Sequence, residues 1–101
     1  MRVMLLAKAP HKEFNAAVKD GSAGPKLKKI LDAIKPEAVY FAAMGGVRTA
    51  VIIVDLADAS KLPTLAEPWF LTFGGDVEVH PVMTPADLAH AGLEALGRQW
   101  A

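Results

Sequence analysis

The sequence predicts an α+β domain in which an antiparallel sheet carries helices on one side, and three observations predict it. Two β-rich runs, Glu37–Met44 and Val47–Asp55, are joined by Gly45-Gly46 alone. A two-residue glycine link tolerates the positive φ that hairpin turns require. Leu27, Ile30, Leu31 and Ile34 fall at the i, i+3, i+4, i+7 spacing of an amphipathic helix. Asp76–Met83 alternates as a half-buried strand does, with Val77, Val79 and Met83 on one side and Glu78, His80 and Val82 on the other.

The remaining elements follow in chain order. Arg2–Ala9 reads as a first strand, stopped by Pro10. Phe14, Ala17 and Val18 sit at helical spacing, Gly21-Ser22-Ala23-Gly24-Pro25 breaks the pattern, and the Leu27–Ile34 stripe ends at Pro36. Pairing Met44 with Val47 sets the hairpin register. Ala42 then faces Thr49, Tyr40 faces Val51 and Ala38 faces Ile53 on one side, while Ala43 faces Arg48, Phe41 faces Ala50 and Val39 faces Ile52 on the other. Asp58 or Ser60 can cap a third helical stretch that runs through Leu62, Leu65 and Trp69 to Phe73. Pro63 fits its first turn, Pro68 is expected to kink it, and Gly74-Gly75 ends it. Pro81 marks the last strand as an edge or a bulge. Thr84-Pro85-Ala86-Asp87 combines an N-cap, a first-turn proline and an acid three residues after the cap, opening a helix expected to run to the C-terminus through Leu88, Ala91, Leu93, Ala95 and Leu96.

This order, β-α-β-β-α-β with a C-terminal helix, is the ferredoxin-like arrangement, and residues 1–101 are expected to form a single domain of that kind. Both faces of the hairpin are largely apolar, yet the helices can cover only one. A second copy packed sheet to sheet is the simplest cover for the other face, so a homodimer is expected. The competing expectation is that the C-terminal helix folds back over the bare face.

Composition limits the function classes. The chain holds 11 basic and 11 acidic residues and has zero formal net charge, which provides no field for a polyanion, so nucleic-acid binding is not expected. Hydrophobic residues make up 52% of the chain, but no apolar run approaches the roughly 20 residues of a membrane span. No membrane partner is expected. Cysteine is absent, which removes disulfides, thiolate metal sites and a cysteine nucleophile, and a cytoplasmic location is the default reading.

Lys35-Pro36-Glu37-Ala38-Val39-Tyr40-Phe41, Arg48-Thr49-Ala50, Glu67-Pro68-Trp69-Phe70 and Pro81-Val82-Met83-Thr84-Pro85-Ala86-Asp87-Leu88 resemble a small bacterial domain family of unknown function within the dimeric α+β barrel superfamily. That superfamily includes muconolactone-isomerase-like proteins and cofactor-free monooxygenases. The resemblance implies a dimeric barrel and transfers no catalytic signature, because fold does not fix function.

The residues able to carry chemistry are few. His80 and Glu78 point to one side of their strand, where the carboxylate would orient the imidazole as a general base; the alternative is an exposed edge or an ion pair across the dimer. Arg48 can clamp a carboxylate, or can be a surface group beside the turn. Tyr40 is expected in the core, its hydroxyl bonded to backbone, with a polar role in a pocket as the other reading. Trp69 and Phe70 follow Pro68 and either fill the core or line a pocket for an apolar ligand. By the hairpin register Arg48 and Tyr40 point to opposite faces, so at most one shares a cavity with His80.

His11, His80 and His90 lack metal-ligand spacing, no serine or threonine sits in a nucleophile elbow, and Gly21–Lys26 lacks the ending of a phosphate-binding loop. No metal and no cofactor are expected. The reading that results is a homodimer binding a small apolar molecule with a carboxylate or carbonyl group, as a cofactor-free enzyme of isomerase or monooxygenase type if it catalyses a reaction. The alternative is a non-catalytic dimerisation or sensing module with a filled core.

Overall fold

The computed structural model describes all of residues 1–101. It is a mixed α+β structure with the elements β1 (Arg2–Lys8), α1 (His11–Lys19), α2 (Ala23–Ile34), β2 (Ala38–Met44), β3 (Val47–Asp55), α3 (Leu62–Phe73), β4 (Asp76–Pro81), α4 (Pro85–Ala89) and α5 (Leu93–Gln99). A 3-10 turn, Ala59–Lys61, precedes α3, with the Asp58 side chain accepting from the Ser60 backbone N–H at its start.

The four strands form one sheet in the order β2-β3-β1-β4, and every neighbouring pair is antiparallel. Gly45 and Gly46 both adopt positive φ, and the β2–β3 register is the one the glycine turn dictates, with Tyr40 opposite Val51 and Phe41 opposite Ala50. The pleat then decides which side chains meet the helices. Val3, Leu5 and Ala7 of β1 join Ala50, Ile52 and Val54 of β3 in one buried cluster with Ile30, Ile34, Leu65, Trp69 and Phe73 from the helices. Leu5, Ile52 and Val3 are the largest fully buried side chains. Positions of opposite parity, among them Met4, Tyr40, Val51 and Ile53, belong to the outer face.

Pro68 lies inside α3, and Gly74, in a left-handed conformation, caps the helix after Phe73, where the glycine pair is expected to end it. Two expectations change. The single C-terminal helix is two short helices, because Gly92 takes a left-handed φ of 75° between them. Those helices also do not fold back over the sheet: every residue from Pro85 to Ala101 is exposed. The cap at Thr84 forms as expected. Thr84 N–H donates to Asp87 Oδ2 (2.9 Å) and Asp87 N–H donates to Thr84 Oγ1 (3.1 Å); the first of these, with the Thr84 hydroxyl close by, holds the Asp87 carboxyl below its usual range. No helix is long and apolar enough to cross a membrane.

Candidate functional site

A cavity of about 250 Å³ lies on the helix-facing side of the sheet, at its hairpin end. Its origin is a choice of small side chains. Ala7 on β1 pairs with Ala50 on β3, and Phe41 on β2 pairs with Ala50 from the other side. Farther along the same strands the paired positions are Leu5 with Ile52 and Val3 with Val54, which fill the layer. Over the two alanines nothing of comparable size fills it, so Phe14 of α1, Leu27 of α2 and Trp69 of α3 enclose space instead. Phe14 is fixed against Phe73, ring centroids 5.1 Å apart.

Seven of the nine lining residues are hydrophobic, so the few polar groups define what the cavity can hold. Thr49 is committed, its hydroxyl donating to the Val47 carbonyl (2.9 Å). Trp69 is 4% exposed, and its buried indole Nε1 has no hydrogen-bond partner. A buried N–H left without an acceptor costs about 1–3 kcal/mol.

Arg48 supplies the charge. Its guanidinium lies 4.9 Å from the Phe14 ring centroid, and Nη1 donates to Asn15 Oδ1 (2.7 Å). None of the five ion pairs in the molecule involves Arg48. Of the five donors in a guanidinium fork, one is used. The side chain is therefore a positioned cation beside an apolar cavity, without a carboxylate of its own.

The other sequence candidates do not join it. Glu78 and His80 pair with Leu6 and Met4 of β1, which puts them on the outer face, where both are exposed. Glu78 Oε2 lies 3.6 Å from Lys8 Nζ, so its partner is a lysine on the neighbouring strand. Tyr40, expected in the core, is 68% exposed on the outer face of β2, because no helix covers that side. β2 and β4 are the two edges of the sheet, about 14 Å apart at ~4.8 Å per strand, so Tyr40 and His80 of one chain do not meet. Phe70 is 41% exposed: successive helical residues point about 100° apart, and Trp69 takes the inward position. The lining residues include no carboxylate and no imidazole.

The sequence thus pointed to Arg48 and Trp69 but did not single out Phe14, Asn15, Leu27 or Ala7. The available signal was small residues at same-face positions of two strands, Ala7 and Ala50, together with an asparagine next to an inward phenylalanine on α1.

These features define a class: an α+β protein with a four-stranded antiparallel sheet, helices on one side, and between them a small apolar cavity bordered by a cation. The chain belongs to the family described as Domain of unknown function (DUF3303), which matches residues 10–96. No curated protein and no solved structure matches the chain.

Proposed function

We propose that this protein is a homodimer that binds a compact apolar molecule carrying a carboxylate or carbonyl group in the cavity beneath α3. The observation that carries the reading is an apolar cavity whose lining includes both Arg48, which has no carboxylate partner, and Trp69, whose buried indole N–H has no acceptor. The body of the ligand packs on Phe14, Leu27 and Phe41. Its oxygen accepts from Trp69, and a carboxylate charge pairs with Arg48, whose planar fork suits bidentate contact. The cavity volume lies just under the ~300–1,000 Å³ common for drug-sized ligands, which favours a small compound.

The assembly part of the reading is a ferredoxin-like protomer of a dimeric α+β barrel, closed sheet to sheet. The strand order supports it, as does surface area. A compact 10.7 kDa monomer exposes about 5,500 Å², whereas this chain exposes 6737 Å². The excess, on the order of 1,200 Å² per chain, exceeds the ~800 Å² per partner of a standard interface. Because the cavity lining holds no carboxylate and no imidazole, the reading favours binding or sensing in the cavity over proton-transfer chemistry there.

Calorimetric titration with benzoate and methyl benzoate tests the proposal. Ala50→Leu is expected to abolish binding of both with the melting temperature nearly unchanged, because the added carbons enter empty space. Arg48→Gln is expected to weaken benzoate about tenfold, ~1.4 kcal/mol, and to leave the ester unaffected. If the core is filled and the protein is a non-catalytic dimerisation module, Ala50→Leu will instead destabilise it by about 1–3 kcal/mol, and neither probe will bind.

A further inference from the structure

We infer that the C-terminal arm, Met83–Trp100, is exchanged between two copies of the chain and packs on the exposed strand β2 of the other copy. The inference rests on the homodimer reading above and adds which segments close the dimer.

The arm is folded but unpartnered. The Thr84 capping box starts α4, His90 Nδ1 lies 2.7 Å from the Ala86 carbonyl, and Arg98 pairs with Glu94 across one turn of α5 (3.3 Å). Yet its apolar side chains are left exposed. Leu93 and Leu96 lie on one face of α5, Trp100 continues that line just past its end, and all three are exposed, Trp100 by 79%. Met83 and Leu88 extend the apolar surface toward β4. The chain measures 58 × 28 × 19 Å with a radius of gyration of 16.8 Å, against ~13 Å for a compact domain of this length.

A second apolar surface of similar character lies on the outer face of β2, where Tyr40 and Met44 are exposed on an edge strand. An exposed apolar edge invites association, and proteins normally cover or charge it. Within one chain the two surfaces cannot meet, because the arm leaves β4 at the opposite edge of the sheet and its helices reach away from the body. Two copies related by a two-fold axis bring each arm to the other's β2, so one contact type covers both surfaces twice. The occupant is a second copy for two reasons. The excess surface of each chain is the size a stable dimer buries, and zero net charge leaves no repulsion between identical chains.

The test is light scattering on the full chain and on the double variant Leu93→Glu, Leu96→Glu, which alters only exposed side chains and so leaves the protomer able to fold. The full chain is expected at twice 10.7 kDa and the variant at 10.7 kDa with its cooperative unfolding intact. The chain has no cysteine, so a Leu96→Cys protein mixed with a Tyr40→Cys protein is expected to form a mixed disulfide dimer on mild oxidation. A double variant that stays dimeric, or a mixture that forms no mixed disulfide, overturns arm exchange and leaves the homodimer standing. A monomeric full chain overturns both.

Discussion

Replacing Ile52 by alanine is expected to lower the unfolding free energy by about 2–5 kcal/mol, the largest single effect in the molecule. Ile52 is fully buried at the centre of β3, between Leu5 on β1 and Val39 on β2, beneath the helix layer. Truncation removes three carbons from water-excluded packing and leaves a hole that a sheet pinned on both sides cannot close. The protomer has little to spare: 16 of 101 residues are buried, and domains of this size are stable by roughly 5–15 kcal/mol in total. The melting temperature should fall by on the order of 10 °C or more. Urea unfolding followed by circular dichroism measures the loss, with Val18→Ala, at an exposed helix position, as a control expected within about 0.5 kcal/mol of the parent. A loss below about 1 kcal/mol at Ile52 would mean that the sheet–helix layer is not the core.

Gly75→Ala is the second large effect, and its cause is contact rather than conformation. A Cβ on Gly75 would lie 2.3 Å from the Lys8 carbonyl oxygen and 3.3 Å from its carbon, both backbone atoms at the end of β1. Backbone cannot swing aside as a flexible side chain does, so the turn between α3 and β4 must lift off β1. The first rungs of the β1–β4 ladder, Lys8 with Asp76 and Ala7 with Val77, move with it. The expected cost is about 1–3 kcal/mol, the range for forced overpacking. Gly74 is an informative neighbour. It needs its left-handed φ of 64° to end α3, but nothing lies near its missing Cβ, so Gly74→Ala should cost only the left-handed penalty of about 1–2 kcal/mol. Amide exchange separates the two: Gly75→Ala should expose the amides of β4, whereas Gly74→Ala should fray the last turn of α3.

How much of this could be read from the residues follows the range of the interactions involved. The hairpin register was legible to the residue, because Gly45-Gly46 acts across two positions and the pleat propagates the pairing outward. The α4 start was legible too, since Thr84 and Asp87 satisfy each other within one turn. The break at Gly92 was not, because an isolated glycine inside an apolar pattern also fits a continuous helix, and no body contact holds this segment straight. Tyr40 was misassigned to the core because an apolar run implies cover without saying which molecule supplies it. The cavity was least legible of all. It is built from Ala7, Phe14, Leu27, Ala50 and Trp69, far apart in sequence, and it exists because of side chains that are too small, which leave no pattern along the chain.

The central claim, that an oxygen-bearing ligand enters this cavity and its oxygen reaches the Trp69 indole N–H, has a direct test. The chain contains two tryptophans, so a ¹⁵N–¹H spectrum has two indole resonances, and Trp100→Phe assigns them. On titration with benzoate to millimolar concentration, the account predicts a saturable downfield shift of the Trp69 indole proton, lost in Ala50→Leu. A Trp69 resonance that does not move while benzoate saturates, or that moves equally in Ala50→Leu, would contradict it.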